Sequence, residues 1–339
     1  MRAIVYSQTG DPDVLSLVDR PVPGVGPGQV RVRLRVAGVN PTDWKFRRGT
    51  GPGQPPPFAE VTPGQDGAGE VDAIGEGVAG LSTGDRVWVW LAGVHEGGGT
   101  AQEFLTIGAD KVVPLPDSAS FDLGASLGVP ALTAHLCLTV ADGGPKVLSP
   151  GALDGRIVLV AGGAGAVGNA AIQLGRWAGA EVITTVSSDA KAELARAAGA
   201  HHVVNYRTSN AAEEIRSIAP DGVNIVAEVA PTSNAELNSL ILAPEATVAV
   251  YANEAEPCMI PVRPHMMLNT HYQFLMVYNV SARAKADAVS AVSAAVAAGA
   301  LRVGAEAGVP LHRYPLADTA AAHAAVESSV VGKVLLDLA

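Results

Sequence analysis

The sequence predicts an α/β protein in two parts, a doubly wound parallel sheet and a smaller β-rich barrel or sandwich, and three observations carry this. The first is Arg156 to Gly168, RIVLVAGGAGAVG, where an apolar β-branched run breaks into glycines and resumes as Ala170, Ala171, Ile172, Leu174 and Trp177 at helical spacing. The second is the alternation of strand-like and helix-like segments that follows it, the sign of a parallel sheet covered by helices. The third is the texture of the first 115 or so residues, short β-rich runs punctuated by Gly and Pro.

The glycine segment reads as strand, tight turn, helix. Glycine is required where φ is positive, and where a Cβ would keep a diphosphate from the backbone. The following helix offers unpaired N–H groups and a partial positive charge. With the second β-rich run Glu181 to Val186 after the predicted helix Asn169 to Ala178, the segment completes a βαβ unit suited to a dinucleotide. Gly162, Gly163, Gly165 and Gly168, with Ala166 and Val167 between them, are the candidate diphosphate contacts.

Composition narrows the function. Of 339 residues, 48% are hydrophobic and 17% charged, as in a globular chain with a large core. The net charge of −10, with Lys45, Arg47 and Arg48 as the one basic cluster, argues against nucleic acid as the main partner. Neither a secretory leader nor a long uninterrupted apolar stretch is visible, which predicts a cytoplasmic protein without a membrane span. Cys137 and Cys258 lack C-x-x-C spacing and read as small buried residues, and His95, His271 and His312 show no ligand spacing, so no metal is predicted.

In chain order, Arg2 to Tyr6, Val14 to Asp19, Val30 to Val36, Gly69 to Ile74, Arg86 to Leu91 and Ala101 to Ile107 read as strands. The run from Val30 alternates Val and Leu with Arg at the period of a half-buried strand. Gly49 to Pro57 reads as a long loop and Gly97 to Gly99 as a flexible hairpin. Helices are predicted at Phe121 to Leu127 and Ala131 to Thr139. Beyond the glycine segment come helix Lys191 to Ala198, strand His202 to Val204, helix Ala211 to Ile218, strand Val223 to Val229, helix Asn234 to Leu242 and strand Thr247 to Ala252. The tail reads as strand Tyr272 to Val277, helix Ala282 to Ala298 and strand Gly332 to Leu338. The run Tyr272 to Val277, YQFLMV, has no charge or proline to protect it as a sheet edge.

The end of the second dinucleotide strand reports on the coenzyme. An Asp or Glu there would hold a ribose 2′-OH, but this strand ends Val186-Ser187-Ser188. Small hydroxyl residues leave room for a 2′-phosphate and Lys191 can pair with it, which favours NADPH. A plainer role stands beside this one, with Lys191 a solvated helix lysine and Asp189 a helix N-cap.

Several motifs in one order resemble the medium-chain dehydrogenase/reductase superfamily, and within it the zinc-free, zeta-crystallin-like quinone oxidoreductases. They are VAGVNPTDWKFRRG (Val36 to Gly49), PGQDGAGEVDAIGEGV (Pro63 to Val78), GDRV (Gly84 to Val87), GGGTAQEF (Gly97 to Phe104), VAGGAGAVG (Val160 to Gly168) and GKVLL (Gly332 to Leu336). The resemblance implies a GroES-like β-barrel catalytic domain (1–120), a Rossmann domain (121–265) and a C-terminal segment (266–339) that completes the sheet edge and returns to the catalytic domain. It implies an active site in the cleft between the domains. Where zinc members of the superfamily carry a cysteine and a Gly-His-Glu motif, this chain has Asn40 and Gly64-Gln65-Asp66, and amides are poor zinc ligands.

Further roles come with the resemblance. Asn40 is placed near the nicotinamide as a hydrogen-bond donor, and Thr133, Tyr206, Tyr251 and Lys333 join the glycines, Ser187, Ser188 and Lys191 as coenzyme contacts. Lys45 and His135 stand where family members usually carry tyrosines, which makes them candidate substrate or proton-donor positions. Asn40 before Pro41 also fits a simple turn, His135 on an apolar helix also fits a core histidine, and Asp43 reads as a tie for Lys45 or Arg47. The activity implied is NADPH-dependent reduction of a quinone. Reduction of an α,β-unsaturated carbonyl, and a catalytically idle crystallin-like NADPH-binding role, are the alternatives. The assembly implied is a homodimer joined through residues 272–277.

Overall fold

In a computed structural model of the chain the described residues are 1–93, 96–254 and 257–338. They form two compact units, Met1–Val129 with Leu311–Ala339, and Pro130–Pro310. The sequence reading divides the chain at 120 and 265 instead. The division at 265 falls before strand His271–Phe274 and helix Ala282–Ala297, which stay with the second unit.

The second unit is built on a six-stranded parallel sheet. Its spatial order is His202–Asn205, Glu181–Val186, Ile157–Ala161, Val223–Glu228, Leu242–Val250 and His271–Phe274. Numbered within the unit this is 3-2-1-4-5-6, so the order reverses at Ile157–Ala161, and the glycine turn sits at the carboxyl end of that strand. Leu159, Ile183, Val204, Val226 and Val248, one from each of five adjacent strands, are fully buried in one apolar cluster. A parallel sheet is buried on both faces, which is why these strands read as continuous apolar runs rather than alternating ones.

Helices Ala166–Trp177, Asp189–Ala198, Ala211–Ile218 and Pro231–Ile241 connect the strands. The last begins three residues before the predicted Asn234. The buried Glu228 carboxylate accepts from the N–H of Ala230 at 2.7 Å and the Asn234 amide at 2.8 Å, and Pro231 supplies a fixed φ at the first position. Among the described residues no helix is long and apolar enough to cross a membrane.

The first unit contains a seven-stranded sheet organised by the long strand Gln29–Val39. One edge of this strand pairs with Asp66–Ile74, and its other edge pairs with Phe104–Gly108 over its first half and Lys333–Asp337 over its second. Arg86–Val89, Val112–Pro114 and Leu311–Pro315 extend the sheet. Register shifts at Arg31/Val32 and Leu34/Val36 mark irregularities in the ladder, as bulges do where a strand must bend. Val30, Val32 and Leu34 point into the core, as their period of two requires.

Three predicted features differ. The glycines at 97–99 form no hairpin: Thr62 N donates to the Gly97 carbonyl, Gly99 N to the Thr62 carbonyl, and a Cβ on Gly99 would lie 2.4 Å from two carbonyl oxygens of Pro63 and Gly64. Gly99 therefore allows close backbone approach, while Gly97 supplies a positive φ of 70°. Phe121 to Leu127 is helical only over Phe121–Gly124. Helices Pro41–Arg48, Val262–Leu268 and Thr319–Glu327 and strand Leu311–Pro315 had no clear sequence period and emerge only in the fold.

Candidate functional site

The glycine turn has the geometry its composition predicts. Gly162 has φ of 72°, in the region L side chains avoid. A Cβ on Gly168 would lie 2.4 Å from the Gly162 carbonyl oxygen, and one on Gly163 would lie 2.1 Å from Thr184 Oγ1. The first packs turn against helix and the second packs turn against sheet. Gly165 is the N-cap of helix Ala166–Trp177 and offers no side-chain cap, and the first helical hydrogen bond runs from Asn169 N to Gly165 O at 2.8 Å. The N–H groups of Ala166, Val167 and Gly168 therefore have no carbonyl one turn back, and they fit an anionic diphosphate.

Beside it, at the ends of the second and third strands, lie the polar residues expected to choose the coenzyme. Ser188 Oγ caps helix Asp189–Ala198 by accepting from Lys191 N at 3.3 Å, and Lys191 Nζ donates to Ser187 Oγ at 3.0 Å. Tyr206 is half exposed, its N–H donates to the Val186 carbonyl at 3.1 Å, and the Arg207 guanidinium lies 5.8 Å from its ring. The Asp189 carboxylate accepts from Asn205 Nδ2 at 3.1 Å, and two hydroxyl residues, Ser187 and Ser188, follow the strand. A 2′-phosphate fits hydroxyls with a lysine among them better than a bare ribose hydroxyl does.

In the first unit, Asn40 is at the centre of a buried charged cluster. It is 2% exposed and precedes helix Pro41–Arg48. Its Nδ2 donates to Asp66 Oδ2 at 2.7 Å, and its Oδ1 accepts from Lys333 Nζ at 2.7 Å. The Lys333 ammonium also lies 3.5 Å from Asp66 Oδ2 and 3.4 Å from the Val39 carbonyl. Asp66 Oδ1 accepts from the N–H of Val129 in the first turn of helix Gly128–Thr139, and Asp43 Oδ2 accepts from Asn40 N, both within 2.8 Å. Burial raises the Asp66 carboxyl while Lys333 and Asn40 pull it back down, and burial lowers the Lys333 ammonium while Asp66 and Asp43 oppose it. Asp43 is pushed up to about 7, chiefly by burial. The cluster holds one cation and two carboxyls, so a proton on Asp43 leaves it neutral.

Several expected residues have other settings. Lys333, expected among the coenzyme contacts, is a buried partner of Asn40 and Asp66. Asp43 ties the Asn40 backbone rather than Lys45 or Arg47. Arg47 instead pairs with Glu327 at 2.7 Å, and Lys45 is exposed, 5.8 Å from the Trp44 ring. In the second unit, His135 is 1% exposed, its Nε2 accepts from Leu148 N at 3.3 Å, and burial lowers its pKa to about 4. Such an imidazole is neutral near pH 7 and serves as a backbone acceptor, a poor general acid there. It lines a cavity of about 350 Å³ together with Thr139, Lys146, Gln273 and Asp287.

Thr133 is buried two residues earlier on the same helix. Tyr251 is partly exposed, its N–H donates to the Glu228 carbonyl at 3.1 Å, and burial raises its phenol well above the ordinary value. Cys137 is buried while Cys258 is only half-buried. His271 is exposed, His312 Nε2 lies 2.9 Å from the Val331 carbonyl, and His95 lies outside the described residues. Sequence reasoning missed Asp66 as the hub of the cluster. The signal was a lysine opening a terminal strand whose next three residues are apolar and buried, which needs a buried carboxylate partner.

Zinc does not fit this donor set. The Asn40 amide is committed on both sides, Gln65 Oε1 accepts from Gly93 N at 3.1 Å, and an ammonium already stands beside the Asp66 carboxylate. Among the described residues no three His, Cys, Asp or Glu side chains converge as a metal site.

Fold and site define a dinucleotide-dependent oxidoreductase. Residues 26–117 match the alcohol dehydrogenase GroES-like domain, and residues 166–294 match the zinc-binding dehydrogenase domain. The chain is 35% identical over 253 residues to the human synaptic vesicle membrane protein VAT-1 homolog, covering 74% of this chain and 61% of that protein. It thus spans under two thirds of that relative's length. Over 342 residues it is 30% identical to quinone oxidoreductase of Sus scrofa, covering 99% of this chain and 97% of that one. A mycobacterial protein solved in complex with NADPH superposes with a TM-score of 0.81 at 30% identity, over 99% of each chain. The chain belongs to the zinc-free quinone oxidoreductase family of the medium-chain dehydrogenase/reductase superfamily.

Proposed function

We propose that this chain is an NADPH-dependent quinone reductase that delivers hydride to a quinone without a metal. The observation that carries this reading is the Asn40 cluster. It offers an amide donor held beside a buried ammonium, and a donor set that cannot hold the Lewis acid an alcohol oxidation would need. An acceptor that is already electron-poor suits such a site, because hydrogen bonding and proximity can supply most of its activation. The pig relative's name supports the quinone, and the mycobacterial complex supports NADPH.

Bound NADPH supplies the hydride. The turn Gly162–Gly168 takes the diphosphate, Ser187, Ser188, Lys191 and Tyr206 take the 2′-phosphate, and Thr133 and Tyr251 complete the coenzyme contacts that the family implies. Asn40 donates a hydrogen bond where negative charge develops. Two-electron reduction of a quinone by hydride also consumes one proton, which solvent supplies, since His135 is neutral and buried. We place the enzyme in the cytoplasm as a homodimer.

The test is an acceptor panel in which NADPH oxidation is followed with 9,10-phenanthrenequinone, 1,4-benzoquinone and 2-hexenal. Turnover with the quinones well above that with the enal is expected. Turnover confined to the enal would replace the quinone with an unsaturated carbonyl, and tight NADPH binding with no oxidation by any acceptor would overturn the enzymatic reading.

A further inference from the structure

Lys333, Asp66 and Asn40 come from segments far apart in the chain, yet they meet in an arrangement with one hydrogen-bond solution. An ammonium only donates and a carboxylate only accepts, so the Asn40 oxygen must face Lys333 and its nitrogen must face Asp66. Each partner alone disfavours the flipped amide. Together they fix its orientation and leave the second Nδ2 hydrogen without an acceptor among the described residues.

The backbone is shaped around this lysine. A Cβ on Gly38 would lie 2.9 Å from Lys333 Cε and Nζ and 2.1 Å from the Ala125 carbonyl oxygen, so the strand must be bare there for the lysine to pass. Asp66 in turn takes the Val129 N–H, and a Cβ on Gly128 would lie 2.1 Å from its Oδ1. The ammonium has three protein oxygens within 3.5 Å and is 2% exposed. A group so enclosed is ill placed to hold a phosphate.

We propose that Lys333 and Asp66 are positioning residues that lock the Asn40 side-chain amide in one orientation, with its free N–H as the donor of the reduction site, and that Lys333 is not a coenzyme ligand. This rests on Asn40 being the donor proposed above.

The test compares Lys333→Met, Asp66→Asn and Asn40→Ala, and Lys333→Met combined with Asn40→Ala, in the full chain. Three readouts are taken: NADPH titration by fluorescence, single-turnover oxidation of bound NADPH by 9,10-phenanthrenequinone, and the Asn40 side-chain amide signals in ¹⁵N spectra of the ligand-free protein. Lys333→Met is expected to slow the single turnover about tenfold or more while changing the NADPH Kd less than about threefold. In the Asn40→Ala background it should cost nothing further, and Asp66→Asn should act in the same direction. The Asn40 side-chain amide signals should shift and broaden in Lys333→Met, where the bond to Oδ1 is lost, and should stay in place if Lys333 does not hold the amide.

A Kd that rises tenfold or more with an unchanged single-turnover rate would make Lys333 a coenzyme ligand and overturn the proposal, as would multiplicative losses in the double variant. If Asn40→Ala itself leaves the single turnover unchanged, Asn40 is not the donor and the functional reading of that residue fails. The amide spectra still decide whether Lys333 fixes it. Should Lys333→Met fail to fold because Asp66 is left unpaired, the doubly neutral Lys333→Met/Asp66→Asn variant carries the same comparisons.

Discussion

At the scale of single residues, burial sets the titration of the groups that matter, and the signs differ. His135 and His323 are held down to about 4 and about 3 by burial, so below pH 6.5 the unfolded chain takes protons that the folded chain refuses. Their contribution is whole above pH 6.5 and is lost on acidification toward those values. Asp43 runs the other way. Its folded value of about 7 lies above the ordinary 3.8, so the folded state keeps a proton that the unfolded state has released. That contribution is whole below about pH 4 and is lost as pH rises to 7. Asp43→Asn keeps an oxygen for the Asn40 N–H but cannot ionise, so the variant should gain on the parent as pH rises, by up to ~4 kcal/mol between pH 4 and pH 8. The two histidines are common to both proteins and cancel in the difference. Guanidinium unfolding at both pH values measures it, and a stability difference that does not move with pH would mean that Asp43 is ionised throughout.

At the scale of elements, the second unit was the more legible, for a physical reason. Its strands are buried on both faces and its helices on one, so the period in the sequence reports the element directly, and a positive φ at Gly162 demands the glycine that marks the turn. Ser187, Ser188 and Lys191 were legible as a group because the strand end, the N-cap and the first helical turn are contiguous. Asn40, Asp66 and Lys333 were not legible as a group. Asn40 and Lys333 are 293 residues apart, and their meeting depends on the antiparallel register of Lys333–Asp337 with Gln29–Val39, which no local pattern encodes. The coenzyme preference belongs to the contiguous group. NADPH should bind at least about tenfold more tightly than NADH, and Lys191→Ala should remove most of the difference, because a charge-assisted hydrogen bond contributes ~1.5 to 3 kcal/mol. The helix survives the change, since alanine is the better helix former and Ser188 still caps it through the backbone N–H of residue 191. Fluorescence titration with both coenzymes decides the matter, and equal affinities in the parent protein would remove the 2′-phosphate from the assignment.

At the scale of the whole molecule, the last strand of the parallel sheet is its open edge. His271–Phe274 pairs with Leu242–Val250 on one side and with no strand on the other among the described residues. Phe274 is 64% exposed and Met276 53%, and the nearby helix Val262–Leu268 presents Val262, Met266 and Met267, all more than half exposed. A bare edge flanked by large apolar side chains is a site for pairing, and a second copy running antiparallel across a twofold axis would satisfy its backbone groups and cover those side chains at once. Leu275 is the wrong residue with which to probe this, because it is half-buried against Cys137, Ala227 and Ala249, and a charge there would disturb the sheet itself. Phe274→Lys places the charge on an exposed side chain, so it should split the dimer and leave the fold intact. Light scattering after size exclusion at micromolar concentration should give twice 34.4 kDa for the parent and 34.4 kDa for Phe274→Lys, with unchanged circular dichroism. A parent mass of 34.4 kDa would refute the dimer, and a Phe274→Lys protein that remains dimeric would move the interface away from this edge.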